Sequence, residues 1–374
     1  MNILILAFEF PPAAGGMGQY AYQIAKNLCS YDHNVTAVVA YENFSQENYN
    51  NFIKSVPFKI ERFRNFNGRT INVLLSFGFF KNIVVKNHPD IIIVATPSTA
   101  ILGYSFKKIY NIPYIVIGHG SEFLPMNFLH DLQIRMFYKN SDLIIPNSTF
   151  TKNLLERASI KNKNVIVINP GADDLLYDYK KYPRNKIDKK VILSVGALSI
   201  RKGHKHVIDA IELLKDQLEK FEYWIIGKGS EENNIKEYIK NKNLENYVKL
   251  IGFVPTENLP MYYSQADIFI LNSSDDDPFQ IEGFGIVLIE ANLMGIPVIG
   301  SKNSGMEDAI ENGFNGFLID TKNPKEIADT LKRLLCDDKK AKEMGLNGYN
   351  RAKTEFTWKK TVENINRYLE KYKN

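Results

Sequence analysis

The feature that most constrains the fold is a series of short apolar runs, rich in β-branched residues and separated by stretches long enough for a helix. The runs fall at residues 3–6, 35–40, 91–95, 114–117, 143–145, 165–168, 191–195, 223–226, 248–250, 268–271, 297–299 and 316–319. They are apolar on both faces, whereas antiparallel strands with one wet face alternate apolar and polar residues. Buried strands that alternate with helices predict parallel α/β sheets.

The runs form two series with a polar segment between them. Residues 177–190 are rich in Lys, Tyr, Asp and Pro and poor in aliphatic residues, which is typical of a linker. We therefore predict two doubly wound, Rossmann-like α/β domains that face each other across a cleft, over residues 1–180 and 181–357. Residues 358–374 are predicted to form a helix that packs back on the first domain.

Composition and charge exclude several classes of protein. The chain is 44% hydrophobic and 24% charged, which is ordinary for a folded globular protein. Cys29 and Cys336 have no partners at metal-ligand spacing, so neither a disulfide framework nor a cysteine zinc site is expected. A net charge of +5 does not demand a nucleic-acid partner.

Targeting and membrane-spanning signals are also missing from the sequence. The first ten residues are apolar but lack a basic n-region, so no signal peptide is predicted. The longest uncharged apolar-rich run, residues 91–106, is shorter than the ~20 residues of a membrane span. We expect a cytoplasmic protein that is able to rest on the inner face of a membrane.

A glycine-rich loop follows the first strand and precedes a helix. Gly15 and Gly16 allow a ligand to approach the backbone, and the helix N-terminus favours an anion. Residues 16–21 also match the dinucleotide pattern G-x-G-x-x-A, with Glu42 placed as the ribose-binding acid. That pattern needs its first glycine directly after the strand, whereas a longer loop with two prolines intervenes here.

Polar residues follow two further strands. His119 stands between two glycines after the run 114–117, where it either contacts a substrate or serves the structure. Arg201 and Lys202 follow the first strand of the second domain. They form either a solvated charge pair or a site that neutralises a diphosphate.

The most informative segment runs from Glu282 to Glu290. Gly283, Phe284 and Gly285 follow the first glutamate, and an apolar stretch leads to the second. If Glu282 lies in the loop before a helix, both carboxylates can reach one ligand, and the glycine backbone exposes N–H groups suited to phosphate oxygens.

Over nearly its whole length, the chain resembles the retaining GT-B glycosyltransferases of family 4. Residues 282–291 resemble the family's E-x7-E signature in its E-G-F-G context. Further resemblances are Gly252-Phe253-Val254, the Leu259-Pro260 to Asp267 segment, the Gly15-Gly16 loop and residues 169–173. The family transfers a hexose or related sugar from a nucleotide-diphosphate sugar, generally without a metal. We expect the D-x-D match at residues 275–277 to be a solvated loop.

The resemblance implies roles for residues of the second domain, as the donor domain. Lys202 would contact the donor diphosphate, and Glu290 the ribose hydroxyls. Glu282 would lie near the transferred sugar, and the backbone of residues 283–285 would hold the phosphates or the sugar. Phe253 is a further donor-side residue.

On the first domain, as the acceptor side, His119 would contact the sugar, and Gly15 and Gly16 would shape the loop beside the donor and the acceptor. Many relatives carry an arginine directly after the glycine at position 196, where this chain has Ala197. We hypothesise that Arg201 supplies the second cation in its place.

The acceptor is expected to be a glycan or a lipid-linked molecule. Residues 54–88 interleave seven basic residues and six phenylalanines with a single acid, Glu61. This stretch is either a solvated rim or a surface for anionic lipid headgroups. The alternatives for the whole chain are a same-fold nucleotide-sugar epimerase, an NAD-dependent oxidoreductase and a non-catalytic nucleotide-sugar binder.

Overall fold

A computed structural model describes residues 1–11, 15–40, 46–63, 76–184, 188–218, 220–274, 276–277 and 279–373, with the backbone alone at 46–49. The chain divides into two compact units. One comprises Met1–Pro170 with Trp358–Asn374, and the other comprises Gly171–Thr357. No helix of the described residues is long and apolar enough to cross a membrane.

The described part of the first unit contains a six-stranded parallel sheet in the order β3-β2-β1-β4-β5-β6. Its strands are β1 Asn2–Ala7, β2 Asn34–Ala40, β3 Lys59–Phe63, β4 Ile91–Val94, β5 Tyr114–Gly118 and β6 Leu143–Pro146. Its helices are α1 Gly16–Leu28, α2 Gln46–Ser55, α3 Phe77–Asn87, α4 Ala100–Tyr110, α5 Phe128–Lys139 and α6 Thr149–Arg157, with α14 Trp358–Leu369 from the C-terminus.

The described residues of the second unit repeat this design, with the order β12-β11-β10-β7-β8-β9. The strands are β7 Lys190–Val195, β8 Phe221–Ile226, β9 Val248–Gly252, β10 Ile268–Leu271, β11 Val298–Ser301 and β12 Gly316–Ile319. The helices are α7 His204–Leu214, α8 Glu232–Asn241, α9 Leu259–Tyr263, α10 Ile286–Leu293, α11 Met306–Ala309, α12 Pro324–Cys336 and α13 Asp338–Glu355.

The strand orders confirm the predicted fold class of two doubly wound parallel sheets. In each sheet the chain starts at a central strand, builds outward on one side and then returns to build the other. The direction reverses between β1 and β4 in the first unit and between β7 and β10 in the second. Loops at the carboxyl ends of such a strand pair leave a crevice, where doubly wound sheets bind ligands.

Two strand predictions differ from the structure. Residues 165–168 were expected to form a strand but contribute only an isolated bridge between Val165 and Ile144. Conversely, the edge strand β3 was not predicted, because its sequence KIERF is mostly polar. Its lack of a long apolar run reflects its position beside a single neighbour, β2.

The chain changes units at Pro170 and Gly171, earlier than the predicted boundary at residue 180. Tyr177 is 1% exposed and lies in the core of the second unit, and the Tyr179 N–H donates to the Leu293 carbonyl at 3.2 Å. The last helix, α14, belongs to the first unit, where the ring of Trp358 meets Tyr20 edge-on at 5.5 Å.

Candidate active site

The candidate site lies at the strand-order reversal of the second sheet, where the loops after β7 and β10 meet. Gly203 has a φ of +58°, and a Cβ added there would lie 2.3 Å from the Asn272 carbonyl oxygen, so a side chain does not fit. The Ser274 N–H also donates to the Arg201 carbonyl at 2.8 Å. These contacts hold Arg201 and Lys202 against the residues that follow β10.

Two cations converge on one oxygen of Glu282. Lys202 Nζ lies 2.5 Å from Glu282 Oε2, and Arg201 Nη1 lies 2.8 Å from the same atom. The Ser273 hydroxyl donates to it as well, at 3.2 Å. The three charged side chains are only 11–17% exposed. With Lys202 and Arg201 both protonated, the cluster carries one positive charge more than its own carboxylate balances.

Burial and the neighbouring charges shift the pKa values of Glu282 and Lys202. Burial alone would raise the pKa of Glu282, but Lys202 and Arg201 outweigh that effect and lower the pKa to about 2. Burial lowers the pKa of Lys202 despite the attraction of Glu282, and the neighbouring Arg201 lowers it further. An anionic ligand that approaches the cluster would meet cations that are largely stripped of water, where attraction is strong.

The loop after Glu282 is fixed by contacts with the core of the second unit. Phe284 is 2% exposed, and its ring lies 5.7 Å from that of Phe356. The Gly305 N–H donates to the Glu282 carbonyl at 3.1 Å, and a Cβ on Gly305 would lie 1.8 Å from the Gly283 carbonyl oxygen. Gly285 then caps α10, whose first N–H groups have no acceptor within the helix.

Glu290, on α10, lies in a different environment. Its Oε2 accepts a hydrogen bond from the Tyr263 hydroxyl at 2.9 Å. Burial raises the pKa of Glu290 to about 7 and Asp173 adds to the rise, although the hydroxyls of Tyr263 and Tyr177 oppose it. The two tyrosine rings meet edge-on at 5.6 Å. The sequence pattern did not reveal these three partners, because they come from distant segments.

A buried polar chain lies beside Lys202. Ser194 donates to the Ile270 carbonyl at 2.6 Å, so Ser194 accepts from Tyr223, which in turn accepts from Nδ1 of His204. Burial and the nearby Lys202 lower the pKa of His204 to about 3. His204 is therefore neutral, with its proton on Nδ1, and adds no third positive charge to the site.

On the first unit, His119 follows β5. Its Nε2 lies 2.8 Å from the Ala95 carbonyl and must donate to it, which leaves a lone pair on Nδ1. The buried Glu122 shapes this loop by accepting from the N–H groups of His119 and Gly120, at 2.7 and 2.8 Å. No sequence pattern indicates this structural role of Glu122. In its neutral form, His119 can accept a hydrogen bond from a hydroxyl at Nδ1.

The dinucleotide pattern does not have the geometry that its glycines require. Helix α1 already begins at Gly16, so Gly16 and Gly18 lie in its first turn rather than in a tight turn after β1. Gly15 is the residue that caps the helix. Glu42, the proposed ribose acid of this alternative, lies outside the described residues.

Two predictions concern surface loops. Phe253 follows the edge strand β9 and is 58% exposed, which leaves its ring open to solvent. The loop at residues 275–277 is predicted to be solvated, and Asp276 is exposed there. Its carboxylate binds Ser274, His206 and Lys322 at 2.6, 2.9 and 3.2 Å. Asp275 lies outside the described residues, and within those the structure describes, no three acidic, His or Cys side chains form a metal-binding group.

Family models match both halves of the chain. The model described as Glycosyltransferase Family 4 matches residues 14–174, and the one described as Glycosyl transferases group 1 matches residues 178–351. An uncharacterized glycosyltransferase of Methanocaldococcus jannaschii is 26% identical over 99% of this chain and 98% of its own. The amylovoran biosynthesis glycosyltransferase AmsK of Erwinia amylovora is 30% identical over 65% of this chain and 60% of its own. These matches give no support to an epimerase or an oxidoreductase.

Solved structures share the fold. Sucrose-phosphate synthase from Thermosynechococcus elongatus has a TM-score of 0.84 at 20% identity, covering 99% of this chain and 98% of that one. The Anabaena protein HepE, solved in complex with UDP and glucose, has a TM-score of 0.81 at 21% identity, covering 99% and 100%. The fold is that of the GT-B glycosyltransferases, and the chain belongs to glycosyltransferase family 4, group 1 type.

Proposed function

We propose that this enzyme moves a hexose or related sugar from a nucleotide-diphosphate sugar to a glycan or lipid-linked acceptor, with retention at the anomeric carbon and without a metal. The observation that carries the proposal is the convergence of Lys202 and Arg201 on Glu282, at 2.5 and 2.8 Å, at the ligand-binding edge of the second sheet. Two adjacent cations that are held largely out of water at that edge are suited to bind a diphosphate.

In the proposed reaction, the cations stabilise the leaving group. Cleavage of the donor places negative charge on the diphosphate, and a well-placed donor group of the protein lowers such a barrier by about 3–4 kcal/mol. Lys202 keeps two N–H donors beyond the one it gives to Glu282, and Arg201 keeps four. These donors can bind the diphosphate without releasing the carboxylate. They supply the positive charge that a metal ion would otherwise bring.

Retention has two possible routes, and the site favours one. A carboxylate nucleophile under the anomeric carbon would form a covalent sugar intermediate. Glu282 is the candidate for that role, but its Oε2 already accepts from Lys202, Arg201 and Ser273. A carboxylate neutralised in this way is a weak nucleophile. We therefore favour front-face transfer, in which the departing phosphate accepts the acceptor's proton.

The nucleotide is proposed to bind along the first turns of α10. The N–H groups near Gly285 face the phosphates, and Glu290 binds the ribose hydroxyls while the Tyr263 hydroxyl fixes its orientation. His119, with its free Nδ1 lone pair, is proposed to accept from a sugar hydroxyl, and Gly15 and Gly16 to border the acceptor. Phe253 remains a proposed donor-side contact.

The enzyme is proposed to be cytoplasmic and to contact an anionic membrane surface through residues 54–88. Phe58, Phe63 and Phe80 are buried, whereas Lys54 and Lys81 are exposed. The described part of this stretch thus offers the solvent mainly charge, and an anionic surface would be attracted electrostatically. Arg64, Phe66 and Arg69 lie outside the described residues. A cytoplasmic location is expected because nucleotide sugars are the proposed donors.

A ligand screen followed by an assay tests this function. UDP and UDP-glucose are the first probes, because HepE was solved with both, and the other common nucleotide sugars complete the panel. A true donor raises the melting temperature of the protein by mass action. The enzyme then hydrolyses this donor slowly, and the assay measures the nucleoside diphosphate that is released. NMR of the product sugar then reports the anomeric configuration. The proposal fails if no nucleotide sugar stabilises the protein, or if NAD alone does.

A further inference from the structure

The solvent face of α5 is apolar where a surface helix is normally polar. Phe128 is 80% exposed, Leu129 67%, Leu132 52% and Met136 39%. Their spacing of one, four and eight residues puts them on one side of the helix. Met126, just before the helix, is 52% exposed as well. Contiguous exposed apolar side chains of this kind mark an interaction surface.

This face belongs to a regular helix with its own core contacts. Ile134, Phe137 and Tyr138 are buried on the opposite side. The Asn127 side chain caps the N-terminus by accepting from the His130 N–H at 3.0 Å. The exposed side chains are therefore presented on a fixed scaffold, and α5 is apolar on two faces.

The charges on the same face have one sign. The exposed positions of α5 include Arg135 and Lys139 and no acid. The single acid of the helix, Asp131, is only partly exposed and binds His130 at 3.2 Å. Large apolar side chains mixed with cations are the pattern of a helix that lies at the interface of an anionic membrane.

A cavity of about 310 Å³ adjoins α5 and adds two guanidinium groups. Arg135 and Arg157 both line it, together with Phe123, Ile134, Leu154 and Ile160. Within the described residues, neither arginine forms an ion pair or a hydrogen bond, although the charge of Arg135 helps to lower the pKa of Asp131. Two acids also line the cavity, and both form hydrogen bonds. Glu122 accepts from backbone N–H groups, and Asp131 binds the His130 ring.

We propose that the first unit docks on an anionic phospholipid surface through α5. Phe128, Leu129, Leu132 and Met136 enter the boundary between headgroups and acyl chains, and Arg135 and Arg157 bind headgroup phosphates. This surface differs from residues 54–88, whose described phenylalanines are mostly buried. The proposal goes beyond glycosyl transfer and does not depend on the donor site.

Flotation with lipid vesicles tests the proposal on the full chain. The wild type binds vesicles of phosphatidylcholine and phosphatidylglycerol in equal amounts more strongly than vesicles of phosphatidylcholine alone. F128S/L129S weakens that binding by about tenfold or more, since each side chain loses most of the apolar area it would bury. R135Q/R157Q reduces binding to the level seen with phosphatidylcholine.

The matched control removes two apolar side chains elsewhere. Leu213 and Leu346 are 46% and 49% exposed in the second unit, and L213S/L346S leaves vesicle binding unchanged. Circular dichroism and donor-induced thermal shifts check that every variant folds and keeps its donor site. The proposal is overturned if the wild type does not bind anionic vesicles, or if the control loses as much as F128S/L129S. It is also overturned if α5 proves to be a dimer interface. In that case the wild type is a dimer that does not bind vesicles, and F128S/L129S dissociates it.

Discussion

Glu282 and Glu290, the two carboxylates of one short motif, have opposite electrostatic environments. Glu282 accepts from Lys202 at 2.5 Å and has its pKa lowered to about 2, against the effect of burial. Glu290 accepts from the Tyr263 phenol at 2.9 Å and has no cation beside it, among the described residues, to offset burial, which raises its pKa to about 7. The first glutamate is therefore a permanent anion that organises cations. The second changes charge near neutral pH.

Neutralising each glutamate is predicted to change stability in opposite directions. Because the folded-state pKa of Glu290 is raised, its destabilising effect is absent below its unfolded pKa, grows as the pH rises toward about 7 and is complete above that. E290Q is thus expected to stabilise the fold at pH 8, on the order of 2 kcal/mol, and to have no effect near pH 4.

E282Q has the opposite sign. The lowered pKa of Glu282 gives stability that is present above its unfolded value and is lost as the pH falls toward about 2. Removing its charge leaves Lys202 and Arg201 unpaired and mostly buried, which costs about 2–4 kcal/mol at pH 8. Urea unfolding of both variants at the two pH values measures the difference. Equal effects of E282Q and E290Q at pH 8 would contradict the assignment.

Donor affinity is predicted to depend on pH through Glu290. A carboxylate accepts from ribose hydroxyls, whereas its protonated form loses part of that capacity. Affinity for the donor then falls as the pH drops below about 7, by up to tenfold per pH unit. Y263F removes a hydrogen bond that lowers the pKa of Glu290, so the fall begins at higher pH. Calorimetric titrations over a pH series detect this shift, and a profile that is unmoved in Y263F argues against it.

The glycine loop is predicted to depend on Gly305. A Cβ there would lie 1.8 Å from the Gly283 carbonyl oxygen, so G305A must push the loop out of position. We expect a lower melting temperature and a loss of donor affinity of tenfold or more, about 1.4 kcal/mol. G78A, in α3, is the control because nothing lies within 4 Å of its added Cβ. The account of the loop is wrong if G305A binds donor as well as G78A does.

Arg201 is predicted to serve as the second cation at the donor diphosphate. Its guanidinium shares Glu282 Oε2 with Lys202, so it can supply the cation that many relatives carry at the position of Ala197. R201A should lower kcat by about 10²–10³, the usual loss for one transition-state donor, and R201K should recover part of it. Steady-state kinetics with the identified donor give the answer. Near-normal activity in R201A would leave Arg201 without this role.

The sequence patterns predicted the buried strands of both sheets better than the strands and bridges at the sheet edges. Apolar runs such as residues 91–95 need both faces buried, and this requirement is local enough to be read from the sequence. The polar edge strand β3 and the single bridge at Val165 depend on neighbours along the sheet. The unit boundary was placed too late because Tyr177, in a polar segment, is anchored by the distant core of the second unit.

The candidate site shows the same division. Arg201, Lys202 and Glu282 were recognisable because each follows a central strand, and such loops meet at one edge of the sheet. The electrostatic environments of Glu290 and His204 could not be predicted in this way. Tyr263 and Asp173, which act on Glu290, and Tyr223, which contacts His204, are distant from them in the sequence. The sequence identifies the candidate ionisable residues, but their pKa values depend on burial and on neighbours that only the structure shows.

The most direct test of the central claim is the difference in affinity between a nucleoside diphosphate and its nucleoside, measured for the wild type and for K202Q. UDP and uridine are the first pair, and the base identified by the donor screen replaces uracil if it differs. If Lys202 binds the diphosphate, K202Q narrows the difference by about tenfold or more and leaves nucleoside affinity unchanged. If K202Q retains the full preference for the diphosphate, the cations do not hold the leaving group and the proposed mechanism is wrong.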